Sequence, residues 1–133
     1  MAKALNDNTI YSDFRIDFDI HPVSSDLARL TNEESVKRSI KNICLTGIYE
    51  RFWNPRFGAG LSKYLFEPIS FVTEDLIKNA IKDAITNYEP RALTHEVYVS
   101  AKPDQNAYSA TIVFTVINNP NAITFSVLLN RIR

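Results

Sequence analysis

Hydrophobic and polar residues alternate along the first patterned segment of the chain, from Phe14 to His21. The apolar members are two residues apart, and charged or polar residues stand between them: Phe14, Ile16, Phe18 and Ile20 against Arg15, Asp17, Asp19 and His21. This period of two is typical of a strand with one face on the core. Pro22 ends the predicted strand, and the polar residues 1–13 are predicted to form an N-terminal arm that packs little of its surface.

A first amphipathic helix is predicted to begin after Thr31. Thr31 and Glu34 have the spacing of a capping box, in which the two side chains accept hydrogen bonds from backbone N–H groups at the start of a helix. The helix is expected to run to about Thr46, just before Gly47. Its apolar residues share one stripe: Val36, Ile40, Ile43 and Cys44. Because Cys44 falls on this stripe, we expect it to be a small core residue rather than a nucleophile.

The stretch from Gly47 to Phe71 is the least regular part of the sequence, and it concentrates aromatic residues, prolines and glycines. We expect a compact, packed connection with one or two helical turns between Leu61 and Phe66. Its aromatic loop either packs internally or helps to dock a neighbouring protein: Phe52, Trp53, Asn54, Pro55 and Phe57. Internal packing is the expectation, because an Asn-Pro pair followed by glycine is typical of a turn.

The clearest helical pattern in the chain follows Thr73, which is predicted to cap the N-terminus of a second helix. Apolar residues then recur with helical spacing: Leu76, Ile77, Ala80, Ile81, Ala84 and Ile85. Pro90 disfavours helical geometry at Glu89, so the helix is expected to end at about Tyr88. The chain should leave this helix in an extended direction.

Three alternating segments in the last third of the chain predict strands. Their apolar or inward positions fall into three sets: His95, Val97, Val99 and Ala101; then Tyr108, Ala110, Ile112, Phe114 and Val116; then Ile123, Phe125, Val127 and Leu129. Turn-rich links at residues 102–107 and 118–122 predict an antiparallel meander. The expected fold is α+β, with the helices packed on one face of a mainly antiparallel sheet, in the order β-α-α-β-β-β. Residues 14–133 are predicted to form a single domain.

Composition and charge exclude several classes of partner. Apolar residues make up 45% of the 133 positions, as in ordinary folded proteins. The 15 basic and 15 acidic residues cancel, so no net field favours nucleic acid or an anionic membrane. No run of about 18 apolar residues is present to span a bilayer. The single cysteine and an N-terminus without signal-peptide features lead us to expect a cytoplasmic location.

Residues with catalytic potential are present but form no recognisable motif. The sequence has no glycine-rich phosphate loop, cysteine pair for zinc or nucleophile elbow, and His21 and His95 fall at strand positions. Glu50, Glu67 and Glu89 are the carboxylates that a small peptidoglycan hydrolase would use, since glycoside hydrolysis needs two of them. Nothing in the sequence selects a pair. We therefore expect no catalytic residue, metal or cofactor.

The segment from Asn87 to Arg91 places opposite charges on both sides of a proline. In an extended backbone, Glu89 and Arg91 point the same way and could present a rigid donor and acceptor patch to a partner. Alternatively, the two charges neutralise each other at the corner between helix and strand. The sequence leaves both interpretations open, and in either case Arg91 is expected to lie outside the core.

Four short motifs occur in a fixed order: Ser39 to Asn42, Asn54 to Gly58, Leu61 to Glu67, and Tyr88 to Arg91. An Asn-Asn-Pro turn at Asn118 to Pro120 follows them. The ordered set resembles the signature region of the baseplate wedge, or sheath-initiator, family of contractile phage tails, which has relatives in type VI secretion baseplates. The resemblance covers roughly residues 38–129. Some members of this family carry a lysozyme label, for which this sequence offers no mechanism.

The resemblance implies a structural role in assembly, with no cofactor. It implies that Glu89, Pro90 and Arg91 dock to the baseplate wedge proteins that join the baseplate to the tail. It further implies that the strand from Ile123 to Arg131 exchanges strands with the first sheath subunits, which assigns partner binding to Ile123, Phe125, Val127 and Leu129. The expected place of assembly is the host cytoplasm, into a virion tail baseplate or an equivalent injection machine. The alternatives are a tail-associated peptidoglycan hydrolase and a regulatory binding domain of the same fold.

Overall fold

A computed structural model describes residues 11–117 and 119–131 of the chain. The elements, in chain order, are β1 (Ser12–Phe14), β2 (Arg29–Thr31), α1 (Glu33–Leu45), α2 (Ser62–Leu65), α3 (Phe71–Tyr88), β3 (Ala92–Lys102), a 3-10 turn (Pro103–Gln105), β4 (Ala107–Val116) and β5 (Asn119–Asn130). Residues 1–10 of the predicted arm, and Asn118 of the predicted Asn-Asn-Pro turn, lie outside the described residues. In the described part of the arm, Tyr11 is half-buried and packs against the core.

The main sheet is a three-stranded antiparallel meander in the order β3-β4-β5, as the sequence predicts. Ile112 of the central strand lies opposite Val97 on one side and Phe125 on the other. A bulge interrupts the pairing of β3 between Thr94 and Glu96. The inward residues of β4 are fully buried, because neighbours cover this strand on both edges and one face: Tyr108, Ala110, Ile112 and Phe114.

Helices α1 and α3 cover one face of this sheet and bury their apolar stripes against it. The predicted stripe of α1 is buried, and Ile77, Ile81 and Ile85 of α3 are completely inaccessible. Burial of each isoleucine side chain stabilises the fold by about 1.5–3 kcal/mol. Burial also raises the pKa of the Cys44 thiol to about 12. The α+β class and the core role of Cys44 are confirmed.

Both predicted helix caps are wrong by one to three residues. Thr31 pairs with Ser12 in the ladder of β1 and β2, so α1 begins one residue later, after Asn32. Helix α3 is capped by Ser70, whose Oγ accepts a hydrogen bond from the Thr73 N–H at 3.2 Å. The Thr73 hydroxyl is buried instead and donates to a backbone carbonyl in the preceding loop. The predicted end of α3 at Tyr88 is confirmed.

The predicted half-buried strand from Phe14 to His21 is also wrong. Only Ser12–Phe14 forms a strand, and its partner β2 is equally short, so no ladder extends to the later residues. The chain turns at Phe18, which has a positive φ of 49° and donates its N–H to the carbonyl of Arg15. Consequently the four alternating apolar side chains are all exposed, by 50 to 68%: Phe14, Ile16, Phe18 and Ile20.

No helix within residues 11–117 and 119–131 has both the length and the apolar character that a membrane crossing needs.

Candidate docking surfaces

Glu89 and Arg91 form an ion pair at the corner where α3 leads into β3. Glu89 follows the last residue of α3 and leaves helical geometry, with φ −129° and ψ 76°, as the following proline favours. The chain then turns instead of running extended as predicted, because the Ala92 N–H donates to the Glu89 carbonyl at 3.1 Å. The Nε of Arg91 donates to Oε1 of Glu89 at 2.6 Å, and Nη2 donates to Oε2 at 2.7 Å. The Glu89 side chain is 2% exposed, whereas that of Arg91 is 32% exposed. This is the bidentate geometry that makes arginine–carboxylate pairs strong and directional.

Hydrogen bonding decides the charge state of this pair. Burial by itself raises the pKa of the Glu89 carboxyl, but hydrogen bonds from Arg91 and Ser39 outweigh it and hold the pKa below its ordinary value of 4.5. The hydrogen bonding that Arg91 donates to Glu89 also raises the pKa of the Arg91 guanidinium. Both groups are therefore charged at neutral pH, and Glu89 is a fixed anion.

The prediction that Glu89 and Arg91 are both offered to a partner is wrong for Glu89. Glu89 is buried and saturated by Arg91, as in the alternative in which the two charges neutralise each other. Arg91 is not outside the core either, since it covers a buried carboxylate and its guanidinium lies 5.1 Å from the Tyr11 ring centroid. The accessible parts of this corner are Pro90 and one side of Arg91. The docking role of Glu89, Pro90 and Arg91 remains a prediction.

Arg91 also lines a polar cleft of about 340 Å³ between β1, α1 and the loop that follows α1. The other lining residues are mostly polar: Ser12, Asp13, Ser35, Ser39, Asn42, Arg51 and Phe57. The Arg51 guanidinium stacks 3.9 Å above the centre of the Phe57 ring. No ion pair holds Arg51 among the described residues, so its charge faces the cleft unpaired. Ser39 opens the first of the four ordered motifs in the sequence, whereas no sequence signal pointed to Arg51 as part of a site.

The aromatic loop presents two large side chains to solvent, contrary to the predicted internal packing. Phe52 is 92% exposed and Trp53 is 93% exposed, and their rings meet edge to face at 5.7 Å. The loop closes below them, because the Tyr49 N–H donates to the Pro55 carbonyl at 2.6 Å. Phe52 and Trp53 lie between these two residues and therefore form the tip of the loop. Of the three aromatic residues of the loop, only Phe57 packs inward as predicted. Its ring centroid lies 5.0 Å from that of Tyr88.

The base of this loop is held rigidly against α1 and α3. The Tyr88 hydroxyl donates to the Arg56 carbonyl at 2.5 Å. Gly58 has a positive φ of 113°, and a Cβ there would lie 2.3 Å from the Thr46 carbonyl oxygen. Only glycine fits that position without movement of the backbone. The exposed aromatic pair therefore stands on an ordered support, close to the cleft that Arg51 and Arg91 line.

Strand β5 is an edge of the main sheet. It pairs with β4 in unbroken register from Ile123 to Asn130, and no strand of the described residues lies on its other side. The side chains of Ile123, Val127 and Leu129 are buried in the core, and Phe125 is half-buried. What the outer edge offers to a partner is therefore its backbone. The partner-binding role of these four residues remains a prediction.

The three candidate catalytic carboxylates are in unrelated environments. Glu50 and Glu67 are exposed, and Glu89 is committed to Arg91. A general acid in glycoside hydrolysis needs a raised pKa, whereas the pKa of Glu89 is lowered. His21 accepts hydrogen bonds from backbone N–H groups of its own turn, and His95 is bonded to Thr115. Within the described residues, no three His, Cys, Asp or Glu side chains are grouped to hold a metal.

Comparisons with solved structures identify the same architecture in other proteins. A tail lysozyme from Geobacter sulfurreducens, so described, is 26% identical with a TM-score of 0.71, over 76% of this chain and 92% of that one. A chain of the anti-feeding prophage baseplate has a TM-score of 0.62 at 18% identity, over 92% of this chain and 87% of that one. A chain of the post-contraction pyocin R2 baseplate has a TM-score of 0.51 at 18% identity, over 82% and 95% respectively. The last two likenesses show a shared fold.

Sequence comparison is more specific. The sequence model of the family described as baseplate wedge protein gp25 matches residues 30–121. The baseplate wedge protein gp25 of Enterobacteria phage T4 is 34% identical over 118 residues, which cover 89% of each protein. The resemblance that the four ordered motifs indicated is thereby confirmed, and the chain belongs to the baseplate wedge protein gp25 family.

Proposed function

We propose that this baseplate wedge protein starts assembly of a contractile sheath, by docking to neighbouring wedge proteins near Arg91 and offering the edge of β5 to strands of the sheath. Family membership supports the baseplate part of this proposal. The geometry of the sheet and of the loop at residues 47–57 supports the two contact surfaces. Assembly would take place in the host cytoplasm, before the tail is complete.

The observation that carries the proposal is the open edge of β5. This strand has 12 residues, or roughly 40 Å of backbone at about 3.3 Å per residue. Its pairing with β4 shifts register before Ile123 and is regular from Ile123 to Asn130. Along that regular part, alternate N–H and C=O groups are directed outward, where an added strand would gain main-chain hydrogen bonds. A long, regular edge of this kind promotes unwanted association unless a partner covers it.

The opposite edge of the sheet is less suited to strand addition. Strand β3 is bent by the bulge between Thr94 and Glu96. Its outward N–H at Ala101 is already occupied, because it donates to the Glu74 carboxylate of α3 at 2.9 Å. Bulges and covered backbone groups are common protections of edge strands. The asymmetry between the two edges therefore favours β5 as the acceptor of a sheath strand.

The wedge-facing surface would combine Pro90, the accessible side of Arg91, and the tip formed by Phe52 and Trp53. Tryptophan and arginine are enriched among the residues that dominate binding energy at interfaces. The tip is held in place by the contacts of Tyr88 and Gly58, so little conformational entropy is lost when it docks. In this account Glu89 acts indirectly, by fixing the orientation of Arg91.

We further propose that the chain is not an enzyme. The hydrolase alternative draws on the 26% identity to a protein described as a tail lysozyme. Against it stands the saturated Glu89, whose lowered pKa is opposite to that of a general acid. A turbidity assay on purified cell walls separates the two. Clearance by this chain, lost in a Glu89→Gln variant whose circular dichroism matches the wild type, would establish the hydrolase and contradict the structural role.

Negative-stain electron microscopy of particles assembled with and without this chain tests the proposal. If the chain starts the sheath, its absence leaves baseplates with bare tubes or no attached sheath, and addition of the purified chain restores sheathed tails. Normally sheathed tails in its absence would contradict the proposed function. A variant with prolines at Thr124, Ser126 and Leu128 of β5 is a further control, provided its circular dichroism matches the wild type. It should enter the baseplate but fail to start the sheath, because proline has no N–H to donate to an added strand.

A further inference from the structure

A groove of about 390 Å³ lies beside the edge of β5, between α1 and the segment that follows β1. Arg15, Ile16 and Asp17 form one wall, α1 forms the floor, and Phe125 of β5 forms the other wall. Phe125 is half-buried and packs edge to face on Phe114 at 5.8 Å, so this wall is fixed by the core. A strand added along β5 would therefore pass the mouth of the groove.

Arg38 of α1 lines this groove, and two of its three guanidinium nitrogens lack a hydrogen-bond partner within the described part of the chain. Its Nε and Nη1 atoms are buried and have no hydrogen-bond partner among the described residues. Buried polar atoms are nearly always paired, so two unpaired donor nitrogens on this half-buried side chain are unfavourable for the free chain. This feature had no signal in the sequence, where Arg38 reads as one of several solvated residues on the polar face of a helix.

The acidic residues in the groove are already engaged by other cations. Glu34, four residues before Arg38 on the same helix, binds Lys37 at 2.6 Å. Asp17 pairs with Arg15 at 3.8 Å. The groove therefore has a surplus of positive charge from Arg38 and Lys41, with no carboxylate of the described residues left to neutralise it. The Nη1 and Nη2 groups at the end of a guanidinium can together bind the two oxygens of one carboxylate.

We propose that this groove receives the carboxylate of an aspartate or glutamate from the strand that pairs with β5, and that Arg38 binds it. The inference rests on the proposed function, since it requires a partner strand at that edge. Side chains of an added strand alternate between the two faces of the sheet. Phe125 and α1 lie on the helical face, so the acid stands at an inward position of the partner strand, among residues that are otherwise apolar.

Substitution of Arg38 by methionine in the full chain tests the proposal, because it removes the charge and keeps most of the side-chain volume. The free variant should be more stable than the wild type, with Tm raised on the order of 3 °C, since two buried and unpaired donor atoms are gone. Sheathed particles assembled with the same variant should decrease by about tenfold or more, as expected for loss of a charge-assisted pair. Lys82→Met, at an exposed position of α3, is the matched control and should change neither quantity.

The outcomes separate this proposal from the proposed function. A lowered Tm for Arg38→Met would show that the guanidinium is satisfied within the chain, and would overturn the proposal. Wild-type sheath yield with Arg38→Met would also overturn it, while the proposed function would stand if omission of the chain still abolished the sheath. Arg38→Glu should reduce sheath yield further than Arg38→Met. A sheath subunit in which one acidic residue is changed to lysine should restore the yield with Arg38→Glu, and that residue is then the one that Arg38 binds.

Discussion

The Arg91 guanidinium holds the buried carboxylate of Glu89 through two hydrogen bonds, of 2.6 and 2.7 Å, across the single residue Pro90. The chain turns at this corner, where the Ala92 N–H donates to the Glu89 carbonyl, and the turn brings the two side chains together. This relationship makes Arg91 a structural as well as an accessible residue. Any substitution of Arg91 will therefore act on folding and on docking at the same time, and the two effects have to be measured separately.

Arg91→Ala is expected to destabilise the free chain, because it leaves Glu89 as an unpaired buried charge. The expected loss is about 2–4 kcal/mol in the free energy of unfolding, somewhat below the range for fully buried pairs since Arg91 is partly exposed. Urea unfolding followed by circular dichroism measures it. Lys82→Ala, at an exposed site, is the control, and an equally small effect for both variants would contradict the structural role of Arg91.

The stability of the chain should fall in acid partly because of Glu89. Its folded pKa lies below the ordinary value of 4.5, so the unfolded state binds more protons in this range and stability rises with pH. The contribution is present above about pH 4.5 and is lost as the pH falls through the lower, folded pKa. Urea unfolding at a series of pH values from 7 to 3 should show a steeper loss for the wild type than for Glu89→Gln. Parallel curves would contradict the assignment.

Trp53 is the only tryptophan in the chain, so its fluorescence reports directly on the proposed wedge-facing surface. Because its side chain is 93% exposed, the free chain should emit like indole in water and be quenched fully by acrylamide. A chain labelled with 5-hydroxytryptophan can be followed among the tryptophans of other baseplate proteins. Once assembled into baseplates, its emission should shift to the blue and be quenched less by acrylamide. An unchanged signal in assembled baseplates would contradict docking through this tip.

Trp53→Ala should leave the free energy of unfolding within about 0.5 kcal/mol of the wild type, as for other surface substitutions. It should nevertheless reduce the amount of chain per particle in an immunoblot of purified baseplates by about tenfold, as expected for a residue that dominates binding. Phe71→Ala removes a side chain that is 82% exposed at the far end of α3, about 25 Å from Tyr88. This control should be incorporated normally.

Gly58→Ala should destabilise the loop that supports the aromatic tip. The substitution forces a side chain into a positive φ and into contact with the Thr46 carbonyl, at an expected cost of about 2–3 kcal/mol. Gly47→Ala is the matched comparison, because its φ is ordinary and its nearest neighbour is the flexible end of Glu50. Thermal unfolding of both variants decides whether the loop is as rigid as its backbone geometry indicates.

The parts of the fold that the sequence predicted are those with a strong local period. The repeat of Ile77, Ile81 and Ile85 specifies a helix with a buried stripe, and three alternating segments separated by turn residues specify the meander. The alternation from Phe14 to Ile20 is just as regular, but it does not specify a partner strand, and the ladder with the short β2 ends at Phe14. Local pattern therefore predicts an element only where the tertiary structure supplies a surface for it.

The candidate surfaces were less predictable, because they depend on distances across the fold. The pairing of Glu89 with Arg91 could be proposed from their spacing, whereas the hydrogen bond from Ser39 of α1 that helps to lower the pKa of Glu89 joins residues 50 positions apart. The exposure of Trp53 follows from a hydrogen bond between Tyr49 and Pro55 that no sequence pattern specifies. The unpaired state of Arg38 depends on Lys37 and Arg15 having already engaged the nearby acids.

The central claim is that the open edge of β5 accepts a strand of the sheath. Cryo-electron microscopy of sheathed particles that contain this chain tests it most directly. The account predicts a strand from a sheath subunit hydrogen-bonded along Ile123–Asn130, at about 4.8 Å from β5. An edge of β5 that faces solvent, or that is covered by an element other than a strand, would contradict it.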